Sequence, residues 1–208
     1  MVLGELLERP GLAPGNRLLV HGMASIWRGA WPELHEAVAV GRARGLPRAD
    51  FEELLLQAVL FCGFPRVVTA FETLAEVWPV AEPPAGGGLP PAERGTAGRQ
   101  LFAAIYGKND AAVRGMLQRH HGELHDFVLE AAYGRILARP GLSPHVRELV
   151  AVGALAAMRQ QRQFVAHARG ALHFGSSLAE LREVLVTVFG AEPQGTAEVE
   201  AWLQLVRR

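Results

Sequence analysis

The fold is decided by residues 139–175, which read RPGLSPHVRELVAVGALAAMRQQRQFVAHARGALHFG. Ser143-Pro144 opens a helix: the hydroxyl is placed to cap it, and proline suits a first helical position whose N–H has no partner. Val146, Leu149, Val150, Gly153, Ala154 and Ala157 follow at three- and four-residue intervals. The other faces of this helix are also mostly apolar, so protein should surround it. Arg159-Gln160-Gln161-Arg162 breaks the apolar run and makes a turn. In the next helix Phe164, Ala168 and Ala171 share a stripe with His167, which directs the imidazole into the apolar side. Gly175 stands where a helix C-terminus favours glycine. Glu148 on the first helix and His167 on the second are the pair in this stretch that points to chemistry.

Working outward, a shift of 130 residues lays the beginning of the chain on its second half without a gap. Leu7-Glu8-Arg9-Pro10-Gly11-Leu12-Ala13-Pro14 falls on Leu137-Ala138-Arg139-Pro140-Gly141-Leu142-Ser143-Pro144. Arg17 meets Arg147, Leu19-Val20 meets Leu149-Val150, Gly45 meets Gly175, and Glu53 meets Glu183. Matches at helix starts, helix ends and apolar positions predict a duplicated, pseudo-symmetric pair, since two copies are too few for a solenoid. Each copy reads as a helix, a tight turn, a second helix, a short loop and a third helix. In the first copy these are residues 14–30, 32–44 and 47–61, followed by a break at Gly63-Phe64-Pro65 and a further helix over 67–77. In the second, Ser177 and Glu180 form a capping box before Leu181, Val184, Leu185 and Val188, and residues 197–206 close the chain as a helix. Proline and glycine between them, with Pro83-Pro84-Ala85-Gly86-Gly87-Gly88, describe an exposed linker. The expected division is therefore a first, degenerate copy over 1–79, a linker over 80–98, and a second copy with its own N-terminal helices over 99–208. No stretch alternates with period two, and the fold class is all-α.

The 208 residues are 50% hydrophobic and 20% charged, an ordinary globular balance. Basic and acidic side chains cancel, which removes the overall field that would gather nucleic acid or an anionic membrane surface. One cysteine, Cys62, excludes an intramolecular disulfide framework and a Cys-X-X-Cys redox pair. No basic-then-apolar leader opens the chain, and the apolar run from Leu149 to Met158 is too short to span a bilayer, so the expected location is the cytoplasm.

Residues 95–188 resemble the carboxymuconolactone decarboxylase family, which includes the AhpD-like alkylhydroperoxidases. The resemblance rests on Tyr133-Gly134-Arg135-Ile136, Arg139-Pro140-Gly141-Leu142-Ser143, Arg147-Glu148-Leu149 and His167-Ala168-Arg169-Gly170-Ala171-Leu172 with Gly175. The first copy carries the other end of the pattern, in residues 55–65 and Ala70-Phe71. The resemblance implies a compact helical domain that assembles into rings, so a fused pair would close as a homotrimer with six domains. In the AhpD-like branch a glutamate is followed by a Cys-X-X-Cys and a histidine. Glu148 and His167 match the glutamate and histidine, while Gln160 and Gln163 stand at the cysteine positions. Peroxide chemistry needs a thiolate and a resolving thiol, and glutamine supplies neither. The decarboxylase branch lacks those cysteines and keeps the histidine, although it often has a small polar residue where Glu148 stands. In the first copy the corresponding residues are Leu18 and Ala37, and both roles are lost.

Three readings follow. The leading one is an acid/base enzyme, independent of metal and organic cofactor, acting on a small carboxylated lactone or related acid. The lactone carbonyl takes up the electrons left by carbon dioxide, and the protein holds the carboxylate, polarises the carbonyl and protonates carbon. His167 is the acid/base, since imidazole ordinarily titrates near about 6.5. Glu148 orients it or holds it protonated, and Arg169 or Arg147 pairs with the substrate carboxylate. The second is an AhpD-like antioxidant protein, which would depend on Cys62 alone. The third is a non-catalytic member of the fold: Glu148 in the second turn is favoured by the helix dipole, and a buried histidine is commonly a hydrogen-bonded core residue. Recurrence of Arg147 as Arg17 in the copy lacking the other two residues favours a structural role for it. His120, His121 and His125 lack an obvious third metal ligand beyond Glu123 or Asp126 and read as a solvated face. Cys62, at the end of an apolar helix, reads as a small buried hydrophobe.

Overall fold

The computed structural model describes residues 2–82, 84 and 86–207; Pro83 and Ala85 of the expected linker lie outside the described residues. Among the described residues every regular element is a helix. The first half holds α1 (Leu3–Leu7), α2 (Pro14–Arg28), α3 (Trp31–Ala43) and α4 (Arg48–Val77). Next come α5 (Pro91–Tyr106), α6 (Asp110–His120), α7 (Gly122–Asp126) and a π-helix, Phe127–Leu137. The chain closes with α8 (Pro144–Ala157), α9 (Gln161–His173), α10 (Leu178–Phe189) and α11 (Pro193–Arg207).

The helix starts obey the expected chemistry. Ser143 Oγ accepts from the Val146 N–H, and Ser177 and Glu180 form the reciprocal capping box. The expected break after residue 61 is a kink: α4 runs on through Pro65 but bends at Gly63, whose φ of 75° and ψ of 164° interrupt the helix. α5 begins at Pro91, inside the stretch expected to be linker. Proline fits the first turn of a helix, so a Pro/Gly-rich composition did not exclude one there. α4, and not the shorter run from Leu149 to Met158, is by length and composition apolar enough to cross a membrane. It packs against α2 and α3 and buries Phe51, Leu54, Leu55 and Ala58.

The helix bounds recur at the 130-residue spacing: α8 starts 130 residues after α2, α9 after α3, and α10 after α4. Gly63 and Gly190, each with positive φ and each shortly before a proline, end the third helices, and α10 reaches its glycine about one turn sooner. α2 and α8 pack against each other at the centre. Each half also lends residues to the other's core: Leu142, Val150 and Ala154 sit among the first half's residues, and Leu6, Leu12, Val20 and Ala24 among the second's.

Two buried ion clusters join the halves in the same reciprocal way. Arg9 and Arg17 reach Glu183 at 2.7 and 3.0 Å, and Arg139 and Arg147 reach Glu53 at 2.7 and 2.6 Å. Arg17 also donates to the Arg9 carbonyl, and Arg147 to the Arg139 carbonyl, each at 3.1 Å. In both clusters burial alone would raise the carboxyl pKa. The arginine hydrogen bonds outweigh it, and Glu53 and Glu183 titrate below the ordinary range.

A third, smaller core of Phe102, Ile105, Leu129, Tyr133 and Leu137 joins α5 to the π-helix. These helices touch backbone to backbone. A Cβ on Gly98 would lie 2.0 Å from the Leu129 carbonyl oxygen, and one on Gly134 would lie 2.1 Å from that of Arg94. Gly134→Ala is therefore expected to force the pair apart and cost about 1–3 kcal/mol. The urea midpoint reads this, and an unchanged midpoint would contradict the contact.

Candidate functional site

α8 and α9 pack as neighbours, and they bring Glu148 and His167 together. His167 Nδ1 lies 2.9 Å from Glu148 Oε2, and the residues are 7% and 2% exposed. Space for the carboxylate comes from Gly170, one turn beyond His167. A Cβ there would stand 2.7 Å from Glu148 Oε2 and 3.0 Å from Ile105 Cγ2. With Nδ1 engaged by Glu148, Nε2 makes no hydrogen bond to the described residues.

The roof over this pair comes from α5 and the π-helix. The Tyr106 ring stands edge-on to the imidazole at 6.5 Å. Phe102 stacks on Tyr106 at 4.3 Å and meets Tyr133 edge-on at 4.7 Å. The Tyr106 and Tyr133 rings stand 6.5 Å apart, tilted by 49°. Burial is the main cause that pushes both phenols above their ordinary pKa, with the Glu148 charge adding to it, so both keep their protons and remain donors.

His167 opens onto a cavity of about 370 Å³, within the size range of small-molecule sites. Its polar lining is His167, Tyr133, Gln160 and Gln163. Leu60 and Phe61 of α4 and Leu155 and Met158 from α8 and its end form apolar wall, so both halves contribute. Glu148 does not line the cavity; it stands behind the imidazole.

The structure does not bring the two arginines to this place. Arg147, expected as a substrate ligand, is buried at 1% exposure and donates to Glu53, Gln57 and the Arg139 carbonyl. Its donors serve the ion cluster between the halves. Arg169 is exposed and lines a separate depression of about 520 Å³ with Arg119, Arg162, Tyr106 and Gln163. Gln163 borders both spaces, so the arginine faces the neighbouring one.

The histidine cluster has local duties. His121 Nδ1 accepts from the Glu123 N–H to cap α7, and His125 pairs with Asp126 at 2.8 Å. Among the described residues no group of three metal-binding side chains is assembled. Cys62 is half-buried, and burial pushes its thiol up to about 11. Reading the sequence missed Tyr106 and Tyr133 as site residues. Tyr133 begins one of the stretches that carry the family resemblance, but nothing local ties either phenol to His167.

Residues 123–207 match the model of the carboxymuconolactone decarboxylase family, and the Glu148–His167 pair lies inside the matched segment. No curated protein matches the chain.

Proposed function

We infer that the chain is a decarboxylase-type acid/base enzyme acting on a small carboxylated lactone or a related acid. The observation that carries this reading is the buried Glu148–His167 contact with the imidazole forming a wall of a small-molecule cavity. Glu148 accepts a hydrogen bond from the Nδ1–H of the doubly protonated ring and fixes it, as the third group of a triad does, so that giving up the Nε2 proton leaves a neutral imidazole. The bond from ring carbon to carboxylate breaks, carbon dioxide leaves, and conjugation with the lactone carbonyl takes up the electron pair. Tyr133 donates a hydrogen bond to that carbonyl as charge grows on its oxygen. The Nε2–H of His167 then delivers a proton to carbon. The reaction needs no metal or organic cofactor. Arg169, across Gln163, receives a second anionic group of the substrate.

The chain is further read as two copies of one domain, of which only the second keeps the reacting pair. The 130-residue recurrence of helix starts and the reciprocal clusters of Arg9, Arg17 and Glu183 and of Arg139, Arg147 and Glu53 support this. Self-association as a trimer of such pairs is the matching assembly. Exposed apolar side chains, Phe64 and Val68 on α4 and Leu124 and Phe127 near the π-helix, support an interface.

The peroxidase alternative is disfavoured because Gln160 and Gln163 occupy the cavity wall where thiols would be needed. With its thiol at about 11, Cys62 is on the order of one part in a thousand thiolate at pH 8. An assay of carboxylated five-membered lactones for carbon dioxide release, run beside hydroperoxide consumption, separates the two readings. We expect release of carbon dioxide, and no thiol-dependent peroxide turnover in either the wild type or Cys62→Ser. Peroxide turnover lost in Cys62→Ser would reverse the assignment.

A further inference from the structure

Under the same 130-residue spacing, the walls of the His167 cavity have counterparts in a second cavity. Ala132, Tyr133, Met158 and Gln163 correspond to Val2, Leu3, Arg28 and Glu33, and these four line this cavity of about 310 Å³. The first half has Leu18 and Ala37 in place of Glu148 and His167, yet this cavity is not purely apolar. His21 of α2 forms part of its wall. Its side chain is 9% exposed, and both ring nitrogens are buried without a hydrogen-bond partner among the described residues. Buried polar groups in folded proteins are almost always paired, so an imidazole with neither nitrogen satisfied marks a place where a partner belongs. A half-turn of the ring exchanges Nδ1 with Cδ2 and Nε2 with Cε1 without changing its outline, so either edge can serve that partner.

The chemistry of the lining selects the partner. Burial, the largest influence on His21, lowers its pKa and keeps the ring neutral, with one donor and one acceptor nitrogen. At the rim stand two exposed carboxylates, Glu33 and Glu36. The Ser25 hydroxyl donates chiefly to the His21 carbonyl at 2.9 Å and stands 3.3 Å from Glu33 Oε2. The single guanidinium, Arg28, donates to the Val188 carbonyl. Among the described residues of the rim, two carboxylates against one guanidinium leave a net negative charge. Leu3, Leu6, Val186, Val188 and Phe189 supply apolar wall.

The geometry points to a second ligand site, between α1, α2, α3 and the end of α10, that takes a small organic ammonium ion with an apolar body. The ammonium N–H groups donate to Glu33, Glu36 and the acceptor nitrogen of His21, and the hydrocarbon lies against the leucines and Phe189. The cavity is at the small end of ligand sites, which suits a body of a few carbons. This site stands apart from the reading of the His167 cavity and is tested without any turnover assay.

The test is a titration of the full-length protein with butylammonium chloride, sodium butyrate and butan-1-ol, following the His21 ring by ¹⁵N–¹H correlation at constant ionic strength. Butylammonium is expected to move the ring signals saturably and to raise Tm, while butyrate and butanol do neither. Glu33→Gln/Glu36→Gln, at two exposed positions, should keep the unliganded Tm and weaken butylammonium at least tenfold. His21→Leu should abolish the Tm rise if it folds, and the glutamine pair carries the test if it does not. A flat titration with butylammonium, an equal response to butanol or butyrate, or an unchanged Kd in the glutamine pair would each overturn the site.

Discussion

Replacing Glu53 with alanine is expected to destabilise the fold by about 3–5 kcal/mol, the cost of leaving buried charge without its partner. Among the described residues Glu53 is the only carboxylate paired with Arg139 and Arg147, at 2.7 and 2.6 Å, and Arg147 is fully buried. Its removal strands a guanidinium that burial already pulls toward a lower pKa. For a chain of this length that loss lowers Tm by roughly 6–20 °C. Glu183→Ala should do the same at the other cluster, where it strands Arg17. Filling the space instead, with Glu53→Leu and Arg147→Met together, should recover most of the loss, because an apolar pair carries no desolvation penalty. The pH dependence has a fixed sign. Both carboxyls titrate lower in the folded chain than in the unfolded one, so their contribution is complete above the ordinary carboxylate pKa. It drains away as pH falls through the depressed folded values. Chemical denaturation of the four proteins at pH 7 and pH 3 checks all of this. A Glu53→Ala protein as stable as the wild type at pH 7 would mean that the cluster does not hold the halves together.

The second large effect is on turnover. His167→Ala should lower decarboxylation by about 10²–10⁴, the usual contribution of a placed general acid. Glu148→Ala should approach the same loss although it does not line the cavity, since it acts through the imidazole. The double variant should then be little worse than His167→Ala alone, because groups that act as one unit do not add. Circular dichroism and gel filtration keep folding and assembly out of the comparison. Independent, multiplying losses would mean that Glu148 and His167 serve separate purposes.

Much of the fold was legible because helices declare themselves locally. Ser143-Pro144, Ser177 with Glu180, and the apolar spacing of 146–157 are short-range signals, and the helices they announce are present. α5 was only partly visible, since Pro91 and its glycines read as linker while the reason for a helix lies in its contact with the π-helix. The site divides in the same way. Glu148 and His167 could be named from their places on consecutive helices, but their meeting depends on Gly170 leaving room for a carboxylate. That is a property of how α8 crosses α9. The arginines show the limit: Arg147 and Arg169 lie within a few residues of the pair, yet one turns into an ion cluster and the other into a different depression. Tyr106 and Tyr133 arrive from segments distant in the chain, and only packing sets the Tyr106 ring against the imidazole and Tyr133 in the wall of its cavity.

The most direct test of the central claim is turnover of a carboxylated five-membered lactone in D₂O, with carbon dioxide and product deuterium followed together. The wild type should release one carbon dioxide for each deuteron placed on carbon, and His167→Ala, folded and assembled normally, should do so at least about a hundredfold more slowly. Equal rates in the two proteins, or no release from any such lactone by the wild type, would contradict it.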